Sequence, residues 1–164
     1  MNMKNKGFTL IELLIAFAVF SLIVVAMSAT AVSVIKSQRK GFALQSSQET
    51  ARYILESVNK EIRMSVVNSD AGDELSSLSI TNAKSEDVDY RFVSQKLQRQ
   101  VDGGGWQDLN PTDPEVTGSF YIRKSVSLPA RAVVTLVMKV KATGGRVEKE
   151  AEIYLQSTIS SRAF

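Results

Sequence analysis

The chain has 164 residues, 44% of them hydrophobic, and a formal charge of +3. It contains no Cys and no His, which excludes disulfides, Cys nucleophiles, Ser-His-Asp triads and the usual zinc sites. Two basic residues, Lys4 and Lys6, stand at the extreme N-terminus; without them 18 basic residues face 17 acidic ones, too small a surplus for a dedicated nucleic-acid binder.

Residues 1–6 form a short basic start. From Gly7 an apolar run continues to Ile35, broken by Thr9, Glu12 and a few Ser and Thr residues. As a helix, residues 8–35 would rise about 42 Å, enough to cross the roughly 30 Å hydrocarbon layer. Ser and Thr are tolerable there because they bond back to helical carbonyls. Glu12 is different. A carboxylate inside a membrane costs about 2.5–3.5 kcal/mol on insertion scales, so it calls for a partner. Lys4 and Lys6 flank the first hydrophobic segment and keep that flank cytoplasmic, which directs the following domain to the other side.

The stretch Gly7-Phe8-Thr9-Leu10-Ile11-Glu12-Leu13-Leu14 resembles the processing and methylation signature of type IV prepilins and pseudopilins. A Gly before the cut, a Phe after it and one buried acid coincide. The resemblance implies a leader of residues 1–7 that a prepilin peptidase removes after Gly7, followed by N-methylation of the new Phe8 amine. It implies that Glu12 forms an assembly salt bridge with the Phe8 amine of a neighbouring subunit. It further implies an α+β pilin fold, a long N-terminal helix packed on a C-terminal antiparallel sheet, with no cofactor. The location implied is the bacterial inner membrane, crossed once, with the C-terminal domain periplasmic or otherwise extracytoplasmic, and assembly into a pilus or pseudopilus. The partners implied are other pilin or pseudopilin subunits, the prepilin peptidase and methylase, the inner-membrane assembly platform and membrane lipid. Two blander readings stay open: a Sec signal peptide cut near Ala29-Thr30-Ala31, and a plain single-pass anchor. The first has no use for Glu12, and the second leaves Gly7-Phe8 without an account.

After Ile35 the run turns polar at Lys36-Ser37-Gln38-Arg39-Lys40, where the helix leaves the lipid. Gly41 is a soft spot, since glycine in a helix interior costs about 1 kcal/mol relative to Ala. Relatives of the major-pilin kind would have a helix-breaking Pro or Gly inside the membrane run, and this chain has neither. Ala51, Ile54, Leu55, Val58, Ile62 and Val66 recur at spacings of three and four, which predicts one helical face packed under a sheet. With no Pro before Pro111, residues 36–68 are predicted as the amphipathic half of the helix, and residues 69–164 as the sheet domain.

Residues 68–74 read as a loop. Alternating segments predict strands at 75–81, 88–93 and 96–101, the last two joined around Ser94-Gln95. Residues 102–115, with three glycines and two prolines, read as one irregular insertion. Further strands are expected at 119–124, 131–142 and 147–158, the last pair as a hairpin through Thr143-Gly144-Gly145-Arg146. Here Val88-Asp89-Tyr90-Arg91-Phe92, Leu97-Gln98-Arg99, Gly103-Gly104-Gly105-Trp106 and the run from Pro129 to Leu136 resemble J-type pseudopilins and W-type minor pilins. That likeness implies a minor subunit that helps initiate or cap a filament.

The other candidate chemistry is sparse. Asp102, Asp108, Asn110, Asp113 and Glu115 offer oxygen ligands of the kind calcium takes, without EF-hand spacing; a solvated turn is the alternative. Trp106 is expected as a plug over the core, or else as a partner contact. Arg39, Lys40, Lys96, Arg99, Arg123, Lys124, Lys139 and Lys141 could line a DNA strip, but acids intersperse them and no stacking aromatics accompany them. Two function classes remain: a structural assembly subunit, and a tip-displayed module that binds DNA or a surface. An enzyme is disfavoured.

Overall fold

The computed structural model describes residues 7–125 and 131–161. The chain divides into two compact units, Met1–Arg39 and Lys40–Phe164. One helix, α1 (Leu10–Arg63), contributes to both.

In the first unit every described side chain is exposed, and the helix is long and apolar enough to cross a membrane. An apolar surface of this kind has no partner within its own unit and is stable only in lipid or against other helices. The hydroxyls of Ser21, Ser28 and Thr30 donate to the carbonyls of Phe17, Val24 and Ala26, at 2.8, 2.8 and 3.1 Å. Their polarity is thereby absorbed inside the helix, as the sequence leads one to expect. Gly41 lies within α1 and ends nothing.

In the second unit α1 buries Ser47, Ala51, Ile54, Val58 and Ile62, with Leu55 half-buried beside them. The helix stops at Arg63, not near residue 68. A tightened last turn closes it: the Met64 and Ser65 amides donate to the Glu61 and Ile62 carbonyls, at 3.1 and 3.2 Å. Val66 therefore leaves the helical stripe. It sits exposed in β1 (Val66–Val67), and Val67 takes the buried place. Two adjacent β-branched residues lose little by leaving a helix and gain a strand partner.

Two antiparallel sheets follow. The first has the order β1-β3-β4-β5-β6, with β3 (Ser77–Thr81), β4 (Asp87–Val93), β5 (Lys96–Val101) and β6 (Gln107–Asp108). The second has the order β2-β7-β8-β9, with β2 (Gly72–Leu75), β7 (Glu115–Lys124), β8 (Ala132–Lys141) and β9 (Glu152–Ser160). The β4–β5 hairpin turns at Ser94 and Gln95, both with positive φ (49° and 62°), the geometry a two-residue hairpin loop demands. The Gln95 carbonyl accepts the Val116 amide at 2.8 Å, tying this turn to β7.

Three expectations give way here. β2 occupies part of the expected 68–74 loop, because Gly72 and Leu75 find partners in Ile122 and Phe120. β6 forms inside the expected irregular insertion, pairing with Gln98 and Arg99. The last strand begins at Glu152, not Val147, because a 3₁₀ turn (Glu148–Glu150) intervenes, closed by the Ala151 amide on the Glu148 carbonyl at 2.8 Å. The stretch that includes Pro129 and Ala130 lies outside the described residues, as does the leader up to Lys6.

The core lies between the second half of α1 and the inner faces of the sheets. Leu78, Ile80, Val88, Tyr90 and Leu97 come from the first sheet; Phe120, Ile122, Val134, Leu136, Met138 and Val140 come from the second. β8 alternates as its sequence predicts, with Ala132, Val134, Leu136, Met138 and Val140 inward. The Phe92 and Phe120 rings meet at 5.2 Å between centroids, and the Phe92 ring also lies over Gly118.

Candidate functional site

The N-terminal segment is built from Thr9. Its carbonyl accepts the Leu13 amide at 3.1 Å, and its Oγ1 accepts the Glu12 amide at 3.3 Å. Thr9 is thus the N-cap of α1, and Glu12 stands at the third helical position. The spacing Thr-x-x-Glu is that of a capping box, a signal the sequence reading passed over. Only half of the box forms. Among the described residues no hydrogen bond or ion pair engages the Glu12 carboxylate, and the helix N-terminus adds a mild positive potential beside it.

Gly7 and Phe8 precede the cap in non-helical backbone, and the Phe8 side chain is 81% exposed. A Cβ built on Gly7 meets nothing within 4 Å. Among the described residues, neither space nor backbone conformation calls for glycine at that position.

The second unit contains one polar cluster that sequence reasoning missed. Glu61 of α1 accepts two hydrogen bonds from Arg99 of β5, Nε to Oε2 at 2.9 Å and a terminal guanidinium nitrogen to Oε1 at 2.6 Å. The buried Tyr90 hydroxyl of β4 donates to the same carboxylate. Burial alone would raise the Glu61 pKa. The Arg99 and Tyr90 hydrogen bonds and the Arg99 charge outweigh it and hold the carboxyl below its usual range. Burial, reinforced by Glu61, pushes the Tyr90 hydroxyl up, so it stays a donor. The Glu61 hydrogen bond raises the Arg99 pKa further. Every proton is therefore held in place at neutral pH. The cluster clamps helix to sheet and offers no group poised to exchange a proton. Its partners on the strands, Tyr90 and Arg99, were visible as Tyr-Arg and Leu-x-Arg strand patterns, but Glu61 had no local signal.

The loop acids do not converge. The Asp102 carboxylate accepts the Asp87 amide at 2.8 Å, Asp108 accepts from Lys96 and from Gln98 (2.7 Å), and Asp113 accepts the Thr143 amide at 2.8 Å. Buried Asn110 accepts the Leu97 amide at 3.0 Å and donates to the Pro111 and Pro114 carbonyls, at 2.9 and 3.1 Å. Glu115 opens β7. Among the described residues no group of three or more His, Cys, Asp or Glu is placed to hold a metal ion. Trp106 is half-buried outside the core cluster, so it plugs nothing; the Arg91 guanidinium lies 3.7 Å from its ring centroid. Four of the basic residues pair with acids: Lys96 with Asp108, Arg99 with Glu61, Arg123 with Asp73 at 2.6 Å and Lys139 with Glu152 at 2.8 Å; Lys124 donates to the Asn68 carbonyl at 3.2 Å.

Residues 2–28 match the family model described as the prokaryotic N-terminal methylation motif. Comparison of the chain with curated proteins and with solved structures gives no match. The chain therefore carries a prepilin-type N-terminal motif on a long apolar helix, joined to the α+β arrangement typical of pilins, and this combination supports a type IV pilin or pseudopilin subunit.

Proposed function

We propose that this chain is a minor pilin or pseudopilin, a structural subunit that helps initiate or cap assembly of a type IV pilus or a type II secretion pseudopilus. The carrying observation is the N-terminal segment: the methylation motif, an exposed Gly7-Phe8 junction, and a Glu12 carboxylate that has no partner among the described residues. A peptidase hydrolyses the bond after Gly7, and the freed Phe8 amine is then methylated. The mature N-terminus is a cation beside lipid, and Glu12 of an adjoining subunit is the anion that answers it. Two isolated charges in hydrocarbon are costly, and pairing offsets much of the penalty.

The sheet domain lies on the periplasmic side, and the partners are other pilin-like subunits, the processing enzyme and the assembly platform. The minor role rests on the strand patterns around Tyr90, Leu97 and Trp106. Display of a DNA-binding module at a tip is less well supported, because Lys96, Arg99, Arg123 and Lys139 are all held by acids.

The test is mass spectrometry of the mature N-terminus. Wild-type chains are expected to begin at a methylated Phe8. Gly7→Ala is expected to leave the leader on; if that variant still yields chains beginning at Phe8 at the normal rate, the reading is wrong.

A further inference from the structure

The second sheet ends at β9, and the hydrogen bonds at its two ends define which backbone groups face outward. The Ala142 amide donates to the Ala151 carbonyl at 3.0 Å, and the Ser161 amide to the Ala132 carbonyl at 2.8 Å. Opposed residues in an antiparallel pair alternate between bonded and non-bonded, so the odd-numbered residues of β9 serve the ladder with β8. The amides and carbonyls of Glu152, Tyr154, Gln156, Thr158 and Ser160 then point away from the sheet. Among the described residues no hydrogen bond reaches any of them.

Such an edge is usually protected by shortness, a bulge, lysine or proline. The other edges here follow that rule. β1 and β6 have two residues each, and β2 is short, irregular in register and carries Asp73 and Glu74. β9 has nine residues in unbroken register, no Lys, no Pro, and one charge, at its first position.

A groove of about 510 Å³ runs beside this edge, between β9 and the second half of α1. Ala51, Leu55, Ile153 and Leu155 supply its apolar lining, and Gln48, Arg52, Glu56 and Asn59 line it with polar groups. The Asn59 amide donates to the Ser157 hydroxyl at 3.0 Å, while its buried Oδ1 has no partner. A strand laid along β9 would place alternate side chains on the helix side, into this groove. The two features call for one occupant. Five outward amides and five outward carbonyls at strand spacing are satisfied by extended backbone and not by a helix, and the groove asks that strand for an apolar side chain.

We propose that β9 accepts an extended strand, apolar on one face, from a neighbouring pilin-like subunit, an inference that rests on the assembly reading above. Gln156 is the discriminating residue. Its amide faces outward, so Gln156→Pro removes a donor and sets a ring against the incoming strand while sparing the β8 ladder. Gln156→Lys protects the edge without altering the backbone.

The experiment uses the full chain in its own membranes, with the photoreactive residue p-benzoylphenylalanine replacing exposed Tyr154. Irradiation is expected to yield an adduct with another protein bearing a prepilin-type N-terminus, mapped by mass spectrometry to an extended segment of it. The adduct should be lost with Gln156→Pro and with Gln156→Lys. Should Gln156→Pro fail to fold, as judged by protease resistance of the second unit, Gln156→Lys decides. The proposal is overturned by no adduct, by an adduct with lipid or a second copy alone, or by one that survives the folded edge variants. The N-terminal mass is read on the same samples. Chains beginning at Phe8 without an adduct sink the strand docking alone; chains uncut after Gly7 sink the assembly reading and this inference with it.

Discussion

One carboxylate, Glu61, receives all three of the hydrogen bonds that tie α1 to Tyr90 and Arg99. Truncation to Ala would leave a half-buried guanidinium and a buried hydroxyl without their acceptor. Glu61→Ala is therefore expected to destabilise the second unit by about 3 kcal/mol, measured by chemical denaturation. The pH dependence has a definite sign. A carboxyl whose folded pKa is depressed contributes stability that is present above its unfolded value, about 4.3, and lost as pH falls through the lower folded value. Wild type should lose stability on acidification below about pH 4.5, with a weaker loss in Glu61→Gln, whose side chain has no charge to neutralise. Glu12 poses the contrasting case. Glu12→Gln is expected to be cut and inserted normally, yet to cross-link poorly to other pilin-like subunits in membranes; wild-type cross-linking would remove the pairing role. The two acids also differ in legibility. Glu12 stands alone in an apolar run, so its cost is visible in one dimension. Glu61 sits among Lys60, Arg63 and other polar residues, and its partners lie 29 and 38 positions away.

Among the elements, α1 and the β4–β5 hairpin follow directly from local pattern: apolar spacing of three and four for the helix, alternation about a two-residue turn for the strands. The elements that differ from expectation are short or sit at ends. Val66-Val67 fits either a helical stripe or a strand, and pairing with Ile80 and Thr81 decides for the strand. β6 exists only because Gln98 and Arg99 offer an edge. β7 carries a constraint of another kind. At Gly118 an added Cβ would lie 2.3 Å from the Val137 carbonyl oxygen, 2.8 Å from the Phe92 ring and 3.0 Å from the Met138 Cα. Gly118→Ala must therefore move backbone as well as the ring, and it is expected to cost about 1–3 kcal/mol. Thermal or chemical unfolding of the variant measures this; unchanged stability would mean that β7 and β8 can separate locally at no cost.

Across the whole molecule, the two units live by different solvents. The first exposes every described apolar side chain, and the second encloses a core shared by helix and both sheets. A chain starting at Lys40 is expected to unfold in one cooperative transition, insensitive to reductant because no Cys is present; a broad non-cooperative melt would contradict it. The features whose physics is local were legible in the order of residues alone. Helix periodicity, a membrane-length apolar run, a Gly-Phe junction, a lone acid and the strand alternation of β8 depend on neighbours a few residues apart. Folding in three dimensions set where α1 stops, which loop acids meet amides, what Trp106 stacks on, and that Glu61 clamps the helix to the sheet. It also decided that β9 is left with an open edge. Each of these depends on groups distant in the chain that folding brings within hydrogen-bonding or van der Waals reach, and no residue spacing in one dimension encodes that distance.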